Sequence, residues 1–152
     1  MILNWLIADN IDEVGLSWFD FYSIGHICMG IGIFLLFSFL YTIPMTKTED
    51  RSQVHLPLWG IWLLTLLMGI IWEIVENVLF FELGIKFEGR KDSLQNVFTD
   101  ILLVGVGGLL TWLFAHLVFK YHVKTWPYYV FGLIGLGLWI GLFLILRYTT
   151  LF

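Results

Sequence analysis

The segment WEIVEN at residues 72–77 lies inside an apolar run that extends from residue 56 to residue 81. A run of this length can cross a bilayer, where each ionised group costs at least ~2.5–3.5 kcal/mol on insertion scales. Glu73, Glu76 and Asn77 are spaced i, i+3 and i+4, so a helix places all three on one face. The segment therefore predicts a membrane helix whose polar face packs against other parts of the protein.

The composition of the whole chain agrees with a membrane protein. Of the 152 residues, 59% are hydrophobic, 18% are aromatic and only 13% are charged, which lies outside the range of soluble globular domains. The net charge of −4 excludes the basic surface of a nucleic-acid-binding protein. The single cysteine, Cys28, excludes an internal disulfide, and we interpret it as a packing residue.

Four apolar stretches are long enough to span the ~30 Å hydrocarbon core, which needs about 20 helical residues. They cover residues 21–43, 56–81, 94–119 and 127–146, with short polar loops between them. The sequence therefore predicts an all-α fold: a four-transmembrane-helix bundle that forms a single membrane domain over residues 1–152. Apolar residues 5–7, followed by Asp9, Asp12 and Glu13, predict a short N-terminal helix lying in the membrane interface.

The charges flanking the first span predict the orientation. The basic residues divide equally between the two sides, but no basic residue precedes the first span, whereas Lys47 and Arg51 follow it. Because the first helix usually dominates the orientation, we expect a multi-pass protein of the cell membrane with both termini outside the cytoplasm.

Polar groups of three spans are predicted to meet near one membrane face. At a rise of 1.5 Å per residue, they lie within roughly 15 Å of that face. The groups within the spans are His26, Glu73, Glu76, Asn77, Asn96 and Asp100. The second loop adds Arg90, Lys91 and Asp92 on the same side, and Asp20 lies at the mouth of the first helix.

This set of residue types favours two kinds of chemistry. Carboxylates and an imidazole can bind a divalent cation or act as acid and base, and the candidates are Glu73, Glu76, Asp100 and His26. The oxygen-rich ligand set favours Mg²⁺ or Mn²⁺, and the histidine also admits Zn²⁺ or Fe²⁺. Arg90 and Lys91 are candidates to bind a phosphate at headgroup depth. The further substrate-binding candidates are Asn77, Asn96, Asp92 and Asp20.

Several of these residues also have a purely structural interpretation. The sequence DSLQ at residues 92–95 is typical of a helix cap with a returning glutamine. Arg90 and Lys91 would then fix a helix end at the interface, and Asn77 and Asn96 would bridge helices. The three embedded acids are harder to explain in this way, because such residues rarely occur in membranes without a function.

Glycines are predicted to let the helices approach closely, as small residues do in membranes. They occur in the first span (Gly25, Gly30, Gly32) and in the third (Gly105, Gly107, Gly108). In the fourth span, Gly137 and Gly141 match the small-xxx-small pattern for a contact within the bundle or between copies. The glycine-rich helices thus make a homo-oligomer one of the expected arrangements.

The order of these residues resembles the VanZ-like group of small bacterial and archaeal membrane proteins over roughly residues 18–112. The resemblance is carried by Asp20, His26, Glu73, Glu76, Asn77, the run from Arg90 to Asn96, Asp100 and the glycines Gly105, Gly107 and Gly108. In the VanZ pattern the third helix carries Asp before Asn, whereas Asn96 precedes Asp100 here, an order closer to uncharacterised relatives of the group. The resemblance implies a role in the cell envelope and assigns no reaction.

Three functions are compatible with the sequence. The first is a membrane enzyme that acts on a lipid headgroup or a polyprenyl-phosphate, with a membrane lipid as its partner. The second is a proton- or cation-coupled transporter, although the predicted polar groups stop halfway across the bundle. The third is a non-catalytic subunit that binds a lipid or another protein through its polar face.

Overall fold

Four long α-helices make up most of the computed structural model, which describes residues 5–48, 56–86 and 89–150. These helices are α1 (Ser23–Thr48), α2 (Leu58–Ile74), α3 (Leu94–Lys120) and α4 (Trp126–Thr150). The end of α2 continues into a π-helical turn, Val75–Phe80. Each of the four is long and apolar enough to cross a membrane, which confirms the predicted four-helix bundle.

The helix bounds agree with the predicted spans to within two residues except at the ends of α4 and α1. Helix α4 continues to Thr150, four residues past its predicted end at residue 146. Helix α1 continues past Pro44 to Thr48, whereas the first span was predicted to end at residue 43. Proline lacks the backbone N–H of the helical ladder and usually ends or kinks a helix. Here the helix extends beyond it by about one turn, at 3.6 residues per turn.

The central helix of the bundle is α1, which packs against the other three. In the part of α1 that can span a membrane, 67% of the residues are buried, whereas the figure for α4 is 17%. A Cβ at Gly30 would collide with the α3 backbone at Val104 and Gly108, and one at Gly107 would collide with the Ile27 carbonyl of α1. These two glycines therefore let α1 and α3 cross at backbone contact, as predicted.

The glycines of α4 fall into two groups. Gly132 and Gly135 face side chains of α1 and leave no room for a Cβ, whereas a Cβ at Gly137 or Gly141 would meet nothing within 4 Å. Gly137 and Gly141 therefore serve no contact within the described part of the bundle. A contact between copies through this pair stays a prediction.

The N-terminal segment, residues 5–22, folds back on itself. Its helical part is a single 3₁₀ turn, Ile11–Glu13, while Ile7 pairs with Phe19 through a β-bridge. Gly15 permits the reversal because its φ of 74° lies in the left-handed region, which favours glycine. The predicted short helix is therefore present as one turn, and residues 5–7 pair with the chain that enters α1.

Candidate functional site

His26 is the centre of a buried cluster of ionisable side chains. Its Nδ1 lies 3.8 Å from Oε1 of Glu73, and its Nε2 lies 3.6 Å from Oδ2 of Asp100. The exposed fractions of His26, Glu73 and Asp100 are 7%, 4% and 3%. Since the two ring nitrogens point in different directions, Glu73 and Asp100 approach the imidazole from different sides.

The glycine contact between α1 and α3 sets the distance between His26 and Asp100. His26 lies about one helical turn before Gly30, and Asp100 lies about two turns before Gly107. Because these glycines bring the two backbones together, the polar side chains just beyond the crossing meet as well. The cluster is therefore a consequence of the same packing that forms the bundle.

Two buried polar atoms of the cluster have no hydrogen-bond partner among the described residues. They are Nδ1 of His26 and Oδ1 of Asp100. Most buried side-chain polar atoms in proteins are paired with protein or ordered water, and leaving one unpaired costs about 1–3 kcal/mol. An additional ligand, such as a cation or a water molecule, would remove this cost.

Three of the four predicted metal ligands come together. One ligand atom each from His26, Glu73 and Glu76 lies within 4.8 Å of the other two. Protein nitrogen and oxygen ligands lie about 2.0–2.2 Å from an ion such as Zn²⁺, so small side-chain rotations would suit these three to one cation. Asp100, the fourth predicted ligand, lies instead at Nε2 of His26, on the side of the ring away from Glu73.

Glu76 and Asn77 lie on the π-helical turn Val75–Phe80. Single π-turns within helices are frequent at functional sites, and the sequence predicted only a regular helix here. Nδ2 of Asn77 donates to Oε2 of Glu73 at 3.3 Å, and its Oδ1 accepts from the backbone N–H of Asp92 at 2.7 Å. Asn77 thus bridges the end of α2 and the start of α3, as its structural interpretation predicted.

Lys86 is a site residue outside the set predicted from the sequence. This side chain, 5% exposed, donates from Nζ to Oδ2 of Asp92 at 2.5 Å and lies 3.5 Å from Oε1 of Glu76. It therefore offsets part of the negative charge of the site. Its place in a loop that joins two acid-bearing helices was the sequence signal that could have identified it.

Asp20 and Asn96 hold the start of α1 against α3. The side chain of Asp20 accepts from the backbone N–H groups of Tyr22 and Gly15, at 2.8 and 3.0 Å, and from Nδ2 of Asn96 at 3.2 Å. Asn96 is buried and also donates to the carbonyl of Ser17 at 3.1 Å. Both residues were substrate-binding candidates, and the structure gives both of them contacts within the protein.

Ser93 caps α3 and also binds the N-terminal segment. Its side chain accepts from the backbone N–H of Asn96 at 3.2 Å, so the helix cap lies one residue later than the spacing of Asp92 and Gln95 predicted. Both Ser93 Oγ and Gln95 Nε2 donate to the carbonyl of Leu16, at 3.0 and 2.8 Å. Gln95 therefore binds the N-terminal segment through Leu16, where the sequence predicted that it returns to the cap.

Arg90 and Lys91 both contact other groups of the protein. The sequence predicted that they bind a phosphate. Nη2 of Arg90 donates to the backbone carbonyls of Asp12 and Val14, at 2.6 and 2.7 Å. Lys91 is exposed, and its Nζ lies 4.9 Å from the ring centroid of Phe81. The guanidinium of Arg90 thus fixes the N-terminal segment, so that a phosphate would compete with these carbonyls for it.

Two adjoining cavities meet at the cluster. The larger, about 350 Å³, lies between α1, α2 and α4 and is lined by Tyr22, Gly25, His26, Trp72, Glu76, Trp139, Leu142 and Phe143. The smaller, about 220 Å³, lies beneath the N-terminal segment and is lined by Val14, Gly15, Asp20, Tyr22, His26, Glu76, Asp92, Asn96 and Asp100. We call them the apolar cleft and the polar cavity. They share Tyr22, His26 and Glu76, so the cluster lies at their junction.

Aromatic rings form the wall of the apolar cleft. Trp72 of α2 makes edge-to-face contacts with Trp139 and Phe143 of α4, at centroid distances of 5.4 and 5.9 Å. In the described part of the chain, the backbones of α2 and α4 do not pack against each other. The space between these two helices is therefore bridged by large side chains.

The fold and the cluster together define a class: a small all-helical protein with four helices able to cross a membrane and buried carboxylates near one end. Comparisons with family models, curated proteins and solved structures find no match for this chain. The resemblance to the VanZ-like group stays a prediction that rests on the residues named for it.

Proposed function

We propose that this chain is a cell-membrane enzyme that acts on the phosphate headgroup of a membrane lipid with the help of a divalent cation. The observation that carries the proposal is the convergence of ligand atoms from His26, Glu73 and Glu76. This convergence lies at the junction of the apolar cleft and the polar cavity. A lipid brings together the same two chemistries, an apolar chain and a charged headgroup.

A bound cation would also allow a phosphate to approach the carboxylates of the site. Four carboxylates line the polar cavity, those of Asp20, Glu76, Asp92 and Asp100, and Glu73 adds a fifth beside His26. A bound divalent cation would offset this charge, polarise a phosphoryl oxygen and orient an attacking water or the leaving group. The ligand set of one imidazole and two carboxylates suits Mn²⁺, Fe²⁺ or Zn²⁺.

Asp100 has a different role in this proposal from that of Glu73 and Glu76. Ligating histidines usually donate their second ring N–H to a carboxylate, which fixes the tautomer and the orientation of the ring. Asp100 lies on the Nε2 side of His26, 3.6 Å away, which leaves Nδ1 facing Glu73 for the cation. We therefore assign Asp100 as the residue that orients His26.

The resemblance to the VanZ-like group and the predicted orientation extend the proposal. The cluster lies on the same side as the N-terminal segment and the loop that contains Lys86. With that side outside the cytoplasm, the site would act on lipids of the outer leaflet, which supports a role in the cell envelope.

Metal analysis of the purified protein tests the proposal. We expect about one divalent ion per chain in detergent, and loss of that ion in His26→Ala and Glu76→Gln. His116→Ala is the matched control, because His116 stacks on Trp112 away from the cluster. Equal metal content in all four proteins, or none in the wild type after supply of Mn²⁺, Fe²⁺ or Zn²⁺, would refute the cation site.

A further inference from the structure

The N-terminal segment forms one wall of the polar cavity and is held there by several hydrogen bonds. Val14, Gly15 and Asp20 of this segment line the cavity. Arg90 binds the carbonyls of Asp12 in the 3₁₀ turn and of Val14 just after it, and the backbone N–H of Ser93 donates to the carbonyl of Gly15 at 2.7 Å. The segment thus forms part of the cavity wall on the side that leads away from the helices.

The apolar cleft leads in the opposite direction, between membrane-spanning helices. Gly25 of α1, Trp72 of α2 and Phe143 of α4 line it, and all three belong to segments able to cross a membrane. The cleft is open on one side, and its volume of about 350 Å³ includes that open space. A hydrocarbon chain bound there would lie along the lining side chains beside the cluster.

Gly25 provides this room. A Cβ at Gly25 would meet nothing within 4 Å, whereas one at Gly30, further along the same helix, would collide with α3. Close packing of the helices therefore accounts for a glycine at position 30, but it does not account for the glycine at position 25. The absence of a side chain at Gly25 leaves the cleft open next to His26.

We propose that a membrane lipid enters this cleft sideways from the bilayer, with one hydrocarbon chain along Trp72, Trp139 and Phe143 and its phosphate headgroup at His26 and Glu76. The inference rests on the proposed function for the headgroup and adds the place where the chain binds. The occupant is a membrane lipid because the cleft lies among the spans and is lined by their apolar side chains, which a water-soluble phosphate ester would not contact.

Photo-crosslinking tests this inference without turnover. The probe is a long-chain alkyl phosphate with a diazirine in its chain, added to proteoliposomes of phosphatidylcholine that contain the whole protein. We expect labels on Trp139, Leu142 and Phe143, mapped by mass spectrometry. An unlabelled long-chain alkyl phosphate should compete, whereas inorganic phosphate and a long-chain alcohol should not.

A side chain at Gly25 should block the cleft. Gly25→Leu places a side chain in space that is open and raises helix propensity, so we expect a folded protein with labelling reduced about tenfold, equivalent to ~1.4 kcal/mol. Gly137→Leu is the matched control, since a Cβ there also meets nothing but does not line the cleft. Its labelling should equal that of the wild type.

The outcomes separate the two proposals. Labelling spread evenly over lipid-exposed residues such as Leu113 and Leu133 would overturn the chain site, as would unchanged labelling in Gly25→Leu. Competition by inorganic phosphate would also overturn it. A protein that carries no metal and yet is labelled in the cleft would refute the cation and support the chain site. If the wild type binds metal and Glu76→Gln loses it, but the cleft is never labelled, the cation site is supported and the chain site is refuted.

Discussion

Asp100 and Glu73 flank the same imidazole but have different expected roles. Glu73 faces Nδ1 of His26 together with Glu76, and Asp100 faces Nε2. A residue that orients a metal-binding histidine typically contributes a factor of ~10–100 in metal affinity, whereas the loss of one of three direct ligands removes the site. The two carboxylates can therefore be distinguished by substitution.

We expect Asp100→Asn to weaken binding of the divalent cation ~10–100-fold and Glu73→Gln to abolish it. Asparagine keeps the shape of Asp100 and still accepts a hydrogen bond, but it lacks the charge that holds the ring. Titration of the purified protein with the ion found by metal analysis measures both effects. Complete loss in Asp100→Asn would show instead that Asp100 is a direct ligand.

The convergence of these residues could be predicted from the sequence, but the partners of the loop residues could not. Helical periodicity and depth along each span are local properties, and they placed His26, Glu73 and Asp100 near one another. Lys86 and Arg90 lie in a loop whose course depends on distant contacts. Arg90 binds carbonyls 76–78 residues away in sequence, and no local pattern specifies such a partner.

The crossing of α1 and α3 is the element of the fold that positions the cluster. Gly30 and Gly107 lie at backbone contact, and the polar residues lie within two turns of them. The sequence predicted close approach of these helices from their glycines. It did not predict the π-turn at the end of α2, because no residue in Val75–Phe80 specifies it.

We expect Gly107→Leu to destabilise the folded protein by at least ~1–3 kcal/mol, as overpacking of a close contact does. Gly137→Leu should leave stability nearly unchanged, because the position faces open space. The two variants are heated in detergent, and their unfolding temperatures are compared. Unfolding is measured as the loss of the monodisperse peak in size-exclusion chromatography. Equal stability of both variants would contradict the helix crossing described above.

At the scale of the whole molecule, the buried acidic, basic and histidine side chains of the described residues are distributed unevenly. They cluster at the end where the N-terminal segment lies: His26, Glu73, Lys86 and Asp100. Hydroxyls of the other half are used within the bundle: Thr65 and Thr111 each donate to the carbonyl four residues earlier, and Tyr128 bonds to Ser38. Such internally satisfied hydroxyls do not favour a path for protons or ions, so this distribution supports a site at one leaflet over transport across the membrane.

The orientation decides which leaflet the site faces, and single-cysteine labelling measures it. The native Cys28 is buried, so a cysteine in place of an exposed lysine should be the residue that a membrane-impermeant maleimide labels. Lys91 lies on the side of the cluster, and Lys124 lies in the loop between α3 and α4, on the opposite side. Both are exposed, which makes them a matched pair.

We expect Lys91→Cys to be labelled in intact cells and Lys124→Cys only after the membrane is permeabilised. The physical reason is the asymmetry around the first span: Lys47 and Arg51 follow the span and no basic residue precedes it, and basic residues flanking a span stay in the cytoplasm. The reverse pattern would place the cluster at the cytoplasmic leaflet, and the lipid it binds would then be one exposed to the cytoplasm.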